Sequence, residues 1–170
     1  MSHTEHHRLA GARAIPIHVV IVSSTRTPET DSGGDLVASL LREAGHPVTH
    51  RQIVADEAEA IAAAVRQATA REDTRAVILT GGTGIAPRDV SPEAVEPLLT
   101  RVIPGFGELF RILSYEEIGS AALLSRALAG LRDGRVVAVL PGSRGAVRLA
   151  LEKLLLPELG HLVAEAGKTR

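Results

Sequence analysis

The sequence predicts an α/β fold: a three-layer sandwich in which helices cover both faces of a mostly parallel central sheet. Three observations lead to it. From Ile15 onward, short β-branched runs alternate with longer stretches of helical periodicity. The first of these runs, Ile17–Val22, is apolar but for His18, the pattern of a strand buried on both faces. The chain is 45% hydrophobic with only three aromatics in 170 residues, so its core must be built from Ala, Val, Leu and Ile.

Ile17–Val22 reads as a first strand. Leu36, Val37, Leu40, Leu41 and Ala44 then recur on one face of a helix that stops at Gly45. A second strand is expected near Val48–Val54, an Ala-rich helix from about Asp56 to Ala70, and a third strand over Ala76–Leu79. Ser91-Pro92-Glu93 should open a helix, with a capping hydroxyl, a proline in the first turn and an acid near the positive end of the dipole. Pro97 should kink or shorten it. Gly105–Leu131 is a mixed segment that does not fit the alternation. Val136–Leu140 makes a last core strand, and Val147, Leu151, Leu154 and Leu155 line one helical face. No domain boundary or tandem repeat interrupts residues 15–170, which read as a single domain. Residues 1–14 read as a polar, mobile tail carrying His3, His6 and His7.

Composition removes several classes of chemistry. The absence of cysteine excludes a structural disulfide, a thiolate metal site and a cysteine nucleophile. A formal charge of −1 and the scarcity of aromatics give no sequence-independent attraction to nucleic acid and no stacking platform for bases. No apolar stretch approaches the roughly 20 residues that span a bilayer. A soluble protein of the reducing cytoplasm is expected, with no nucleic-acid or membrane partner. The two lysines, Lys153 and Lys168, lie away from every glycine-rich loop, which leaves Schiff-base chemistry unsupported.

Three strands end in loops of unusual composition. They are Ser23-Ser24-Thr25-Arg26 through Asp31-Ser32-Gly33-Gly34, Thr80-Gly81-Gly82-Thr83-Gly84, and Pro141-Gly142-Ser143-Arg144-Gly145. Loops at the carboxyl ends of parallel strands, each leading into a helix, offer backbone N–H groups and a helix N-terminus to anions. For any one loop the glycines could equally serve tight turns; three on one edge, each with hydroxyls, point to a phosphorylated ligand. The P-loop and dinucleotide fingerprints are both absent around Gly81–Asp89. Arg26, Arg88, Arg126 and Arg144 supply positive charge near the loops.

Acids among these loops are the informative oddity. Asp89 follows Arg88 just before Ser91, and Asp56 stands where the second strand gives way to its helix. A carboxylate repels a phosphate by a few kcal/mol at contact distance in a medium of effective dielectric about 20. A Mg²⁺ ion between them would reverse the sign. Two local readings stay open beside this one: Asp56 as a helix cap and Asp89 as a loop acid facing water. No histidine falls in a glycine-rich loop, so neither a zinc site nor a Ser-His-Asp triad is supported. Phosphoryl or nucleotidyl transfer needs no such base, because a phosphate nucleophile is largely ionised at neutral pH.

Leu79-Thr80-Gly81-Gly82-Thr83-Gly84-Ile85-Ala86-Pro87-Arg88-Asp89-Val90-Ser91-Pro92-Glu93-Ala94 resembles the signature of the MoaB/Mog family of molybdenum cofactor biosynthesis proteins, related to the gephyrin G domain. Asp31-Ser32-Gly33, Val54-Ala55-Asp56-Glu57, Gly105-Phe106-Gly107-Glu108, Leu124-Ser125-Arg126-Ala127 and Leu140-Pro141-Gly142-Ser143 extend the resemblance along the chain. The Gly-Phe-Gly-Glu stretch is similar to the MoaB branch. The resemblance implies a molybdopterin-binding fold and transfer of AMP from ATP to the terminal phosphate of molybdopterin, with Mg²⁺ as cofactor and pyrophosphate as the second product. It places Asp56 and Asp89 as the catalytic, Mg²⁺-holding acids. It places Ser23, Asp31, Ser32, Gly33, Thr80, Gly81, Gly82, Thr83, Gly84, Arg88, Ser125, Arg126, Pro141, Gly142 and Ser143 around the pterin and its phosphate. Ala55 departs from the proline that relatives often carry before this Asp. The resemblance also implies a homotrimer or homohexamer, and other cofactor-biosynthesis proteins as partners. Two alternatives remain at this point: a non-catalytic molybdopterin-binding or assembly protein, and an unrelated sugar-phosphate or nucleotide enzyme. Because all the aromatics fall in one segment, Phe106 and Phe110 are expected at a subunit interface or beside the pterin pocket.

Overall fold

The computed structural model describes residues 13–168. His3, His6 and His7, with most of the expected tail, lie outside the described residues. A six-stranded sheet runs in the order β2-β1-β3-β6-β5-β4. Its strands are β1 (Ile17–Val22), β2 (Val48–Val54), β3 (Ala76–Thr80), β4 (Arg101–Val102), β5 (Leu128–Arg132) and β6 (Arg135–Leu140). The β1–β2, β1–β3 and β3–β6 pairings are parallel, while β4–β5 and β5–β6 are antiparallel. The mostly parallel sheet is therefore present, with an antiparallel extension at one edge.

Alternation along the central strands divides the core in two. Ile17, Val19, Ile21, Ile78 and Ala138 face α1 (Ser32–Glu43), α4 (Pro104–Ile118) and the C-terminal helix. Val20, Val22, Val77, Leu79 and Val139 face α2 (Ala58–Ala70) and α3 (Ser91–Val95). These are the two outer layers of the sandwich. The C-terminal helix consists of α5 (Arg144–Leu149), a π-helical stretch Ala150–Leu155 and α6 (Leu156–Ala166). The widened turn lies where Pro157 withdraws the N–H that an α-helix would donate backwards.

Four expectations are corrected. The Ala-rich helix begins at Ala58, with Glu57 at its N-cap, so Asp56 is not a helix cap. Ser91 is the first residue of α3 rather than its cap, and its hydroxyl donates instead to the Gly81 carbonyl at 2.8 Å. The mixed segment contains the 15-residue α4, a 3₁₀ stretch Gly119–Leu124 and the strand β5. In β5, a side chain at Gly130 would collide with the Arg101 carbonyl of β4, so the residue that weakens the strand pattern is the one this close pairing requires. Finally, Phe106 and Phe110 are both buried within one chain, in the core beneath α1 and α5, with ring centroids 6.3 Å apart. Neither lines the two cavities beside the glycine-rich loop described below. As the two buried Phe side chains of a core otherwise made of aliphatic residues, they fill the space between helix and sheet. Pro97 does shorten its helix: α3 ends at Val95 and gives way to a 3₁₀ turn over Glu96–Leu98.

His18, only 6% exposed, sits on β1 and its Nε2 lies 3.1 Å from the Gln52 side-chain amide. Burial, with His50 and Arg71 nearby, pushes its imidazole down from 6.5 to about 4. Between those values the unfolded chain binds a proton that the native chain refuses, so stability rises with pH across the window and is lost as pH falls through it. The loss from this residue is about 2–3 kcal/mol by pH 4.5. Urea midpoints at pH 7 and 4.5 should differ less in His18→Leu than in the wild type. Equal differences would contradict this account of His18.

Candidate functional site

β1, β2, β3 and β6 run parallel, so their carboxyl ends meet at one edge. A cleft of about 210 Å³ opens there, lined by Ser23, Arg26, Gly33, Asp56, Thr80, Gly81, Arg88 and Gly142 together with Ile21 and Val22. Each strand contributes through the loop that follows it. The floor is made by a tight approach: Gly81 has φ +108, and a Cβ there would stand 2.5 Å from the Val22 carbonyl oxygen. Only glycine meets both conditions. Gly81 N–H donates to the Leu140 carbonyl at 2.9 Å and the Thr80 hydroxyl to the Pro141 carbonyl at 3.1 Å, which ties the β3 and β6 loops together. Asp56 ties β1 to β2, because its Oδ2 accepts from the Ser24 N–H at 2.8 Å while its own N–H donates to the Ser24 hydroxyl at 3.0 Å.

Seven of the sequence-predicted residues thus converge: Ser23, Gly33, Asp56, Thr80, Gly81, Arg88 and Gly142. The others stand behind them. Asp31 is fully buried and does not line the cleft. It caps α1 by accepting from Gly34 N–H at 2.9 Å, and it pairs with Arg51 at 2.6 Å and Arg26 at 3.4 Å. Burial pushes its carboxyl up, but Arg51, the Gly34 N–H and Arg26 together outweigh that and hold it below its ordinary value. Ser32 opens α1 from an exposed position, and Ser143 caps α5 by accepting from Ala146 N–H. Asp89 turns back on its own loop, where its Oδ2 accepts from Ala86 N–H at 2.9 Å. Gly82 accepts from Ser91 N–H and the buried Thr83 from Arg126 N–H. The Arg126 guanidinium donates to the carbonyls of Gly84 and Asp89. Ser125 and Arg126 line a second groove of about 500 Å³, shared with Glu93, Glu108 and Arg111.

Arg26 is the one charged cleft residue missing from the sequence-based site set, beside the apolar Ile21 and Val22. Its loop position is visible in the sequence, whereas the buried Asp31 beside it, expected as a ligand contact, pairs with it instead at 3.4 Å. With Arg26 and Arg88 set against the single acid Asp56, the cleft carries more cation than anion, which suits phosphate oxygens. Asp56 uses one carboxylate oxygen to accept from the Ser24 N–H, which leaves the other able to take a cation. Among the described residues no group of three or more His, Asp or Glu could hold a metal. One carboxylate plus ligand phosphates is the usual way Mg²⁺ is held, so the donor set fits a Mg²⁺ that arrives with a phosphorylated ligand.

Residues 18–161 match the family described as "Probable molybdopterin binding domain". The molybdenum cofactor biosynthesis protein B of Bacillus anthracis is 53% identical over 166 residues, covering 97% of this chain and 98% of that protein. The chain belongs to the MoaB/Mog family. A crystal structure of another molybdenum cofactor biosynthesis protein B superposes with a TM-score of 0.90 at 51% identity, covering 92% of this chain and 98% of the other. The tungsten cofactor synthesizing protein MoaB from Pyrococcus furiosus gives 0.81 at 34% identity, over 92% and 99% of the two chains. The three-layer sandwich is thus the MoaB/Mog fold; Thr80, Gly81 and Arg88 of the glycine-rich signature line the cleft, and its Pro92 and Glu93 line the second groove. No helix among the described residues is long and apolar enough to cross a membrane.

Proposed function

We propose that the chain acts in molybdenum cofactor biosynthesis by binding molybdopterin at this cleft and transferring AMP from ATP to its terminal phosphate. The observation that carries the reading is the cationic cleft with a single acid at the carboxyl edge of the sheet. At about 210 Å³ it is smaller than the roughly 300–1,000 Å³ of whole-ligand pockets, so it takes phosphates while the pterin and adenosine extend over the rim. A terminal phosphate oxygen of molybdopterin attacks the α-phosphorus of ATP. The bond between that phosphorus and the bridging oxygen to the β-phosphate breaks, and pyrophosphate leaves with the bonding pair. No base is required, since the attacking phosphate is already largely ionised. Arg26 and Arg88 neutralise and align the phosphates, and the floor at Gly81 and Gly142 lets them approach the backbone. Bound Mg²⁺, held by Asp56, would supply charge neutralisation of the transferring group.

A second reading, binding without transfer, is favoured by one observation: Asp89 bonds its own loop and is absent from the cleft lining. Pyrophosphate release that requires both ATP and molybdopterin supports the first reading. Molybdopterin binding with no release supports the second.

A homotrimer or homohexamer belongs to the same proposal. Leu109, Ile112, Tyr115 and Ile118 on α4, with Leu123 and Leu124 after it, expose large apolar side chains, Ile112 by 58%. So many in one stretch mark an interaction surface. The double substitution Leu109→Glu with Ile112→Glu should reduce the mass in light scattering to that of one chain. An unchanged multimer would show that assembly uses another face. Other cofactor-biosynthesis proteins are proposed as partners on what remains exposed.

A further inference from the structure

We infer that Arg126 is a positioning residue that sets the shape of the glycine-rich loop, with Glu93 as its anchor, rather than a ligand contact. This rests on the cleft's being the ligand site, as proposed above. The loop from Gly81 to Val90 carries both the floor glycine and Arg88, and two residues of its chain are 3.0 Å apart or less from Ser91 at the base. Between its ends, the Arg126 side chain crosses the loop. Arg126 Nε donates to the Gly84 carbonyl at 2.9 Å and a terminal nitrogen donates to the Asp89 carbonyl at 2.6 Å. Its other terminal nitrogen pairs with Glu93 on α3, and its backbone N–H donates to the Thr83 carbonyl at 3.1 Å. The guanidinium therefore joins the outgoing limb of the loop to the returning limb and to the helix that follows.

Three separate nitrogens of one planar fork donate at once, to acceptors spaced too widely for the single nitrogen of an ammonium to reach together. Arg126 is absent from the cleft lining and lines the second groove instead. The Arg126 guanidinium holds the Glu93 carboxyl below its ordinary value, so the anchor is charged at neutral pH. Two backbone carbonyls held in this way fix where Arg88 leaves the chain. The Asp89 bond to Ala86 N–H tightens the tip between the two clamped points.

The test compares Arg126→Lys with Glu93→Gln, which keeps an acceptor for the guanidinium. Amide hydrogen exchange over residues 83–90 needs no ligand. It should speed up at least tenfold in Arg126→Lys, with β1 and β3 unchanged, and stay within threefold of wild type in Glu93→Gln. In pyrophosphate release, kcat should fall by up to about 10²-fold in Arg126→Lys, the scale of a small misplacement of reacting groups, with a smaller change in KM for molybdopterin. Unchanged exchange overturns the inference. So does a KM increase without a fall in kcat, which would make Arg126 a ligand contact. If the wild type releases no pyrophosphate, the reading of the reaction fails. The exchange result, which needs neither ligand nor turnover, still decides the role of Arg126.

Discussion

Asp56→Asn is expected to lower pyrophosphate release from ATP and molybdopterin by about 10²–10³-fold, the usual effect of removing one electrostatic partner of a transition state. The melting temperature should stay within a few degrees. The reason lies in how Asp56 divides its work. One carboxylate oxygen accepts from Ser24 N–H, and an asparagine carbonyl can replace it there. The backbone N–H of residue 56 keeps its bond to the Ser24 hydroxyl. The clasp between the β1 and β2 loops survives, and only the charge that would hold Mg²⁺ is lost. A rate within threefold of wild type would remove Asp56 from the reaction. A large fall in melting temperature would instead make it a structural clasp.

The second large effect is on stability. Arg51→Met should destabilise the fold by about 3–5 kcal/mol, the cost of leaving a buried carboxylate without its main partner. For a chain of this size the melting temperature should fall by roughly 6–20 °C. Asp31 has no exposed surface, and Arg51 reaches both its carboxylate at 2.6 Å and its carbonyl at 2.9 Å. Arg26 alone, at 3.4 Å, is a poor substitute. Once Arg51 is gone, Arg26 is drawn inward and the cleft loses a cation. Adding Asp31→Asn to Arg51→Met removes the stranded charge and should recover part of the stability. Thermal unfolding of the two single variants and the double variant forms a cycle that measures the coupling. Additive losses would mean that the Asp31–Arg51 pair is not the anchor described here.

How much of this was legible in the sequence depended on the element. β1, β3 and β6 were legible because strands buried on both faces leave short apolar runs rich in Val and Ile, whereas the apolar run Ala60–Val65 of α2 is mostly alanine. α4 and β5 were not. Pro104, Gly105 and Gly107 open the helix and Gly130 interrupts the strand, so local propensity argues against both, and tertiary contact decides. In the site, the glycine-rich loops and their common edge could be read from spacing and strand order. The direction of each carboxylate could not. Asp31, Asp56 and Asp89 stand in loops of similar composition, yet the first caps a helix inside the protein, the second lines the cleft and the third pins its own loop. An acid that binds a cation and an acid that accepts a backbone N–H use the same residue type, and only the surrounding donors separate them. The same holds for arginine: Arg26 and Arg88 line the cleft, whereas Arg126 is spent on carbonyls. The aromatics misled for a related reason, since their rarity signals something special while their place is plain core.

A crystal structure of the full chain with ATP, Mg²⁺ and molybdopterin tests the central claim most directly. The account predicts phosphate groups within hydrogen-bond reach of Arg26, Arg88 and the backbone at Gly81 and Gly142, with the cation on Asp56 and the Arg126 guanidinium still on its carbonyls. Phosphates bound instead in the groove beside Ser125 and Arg111 would contradict it.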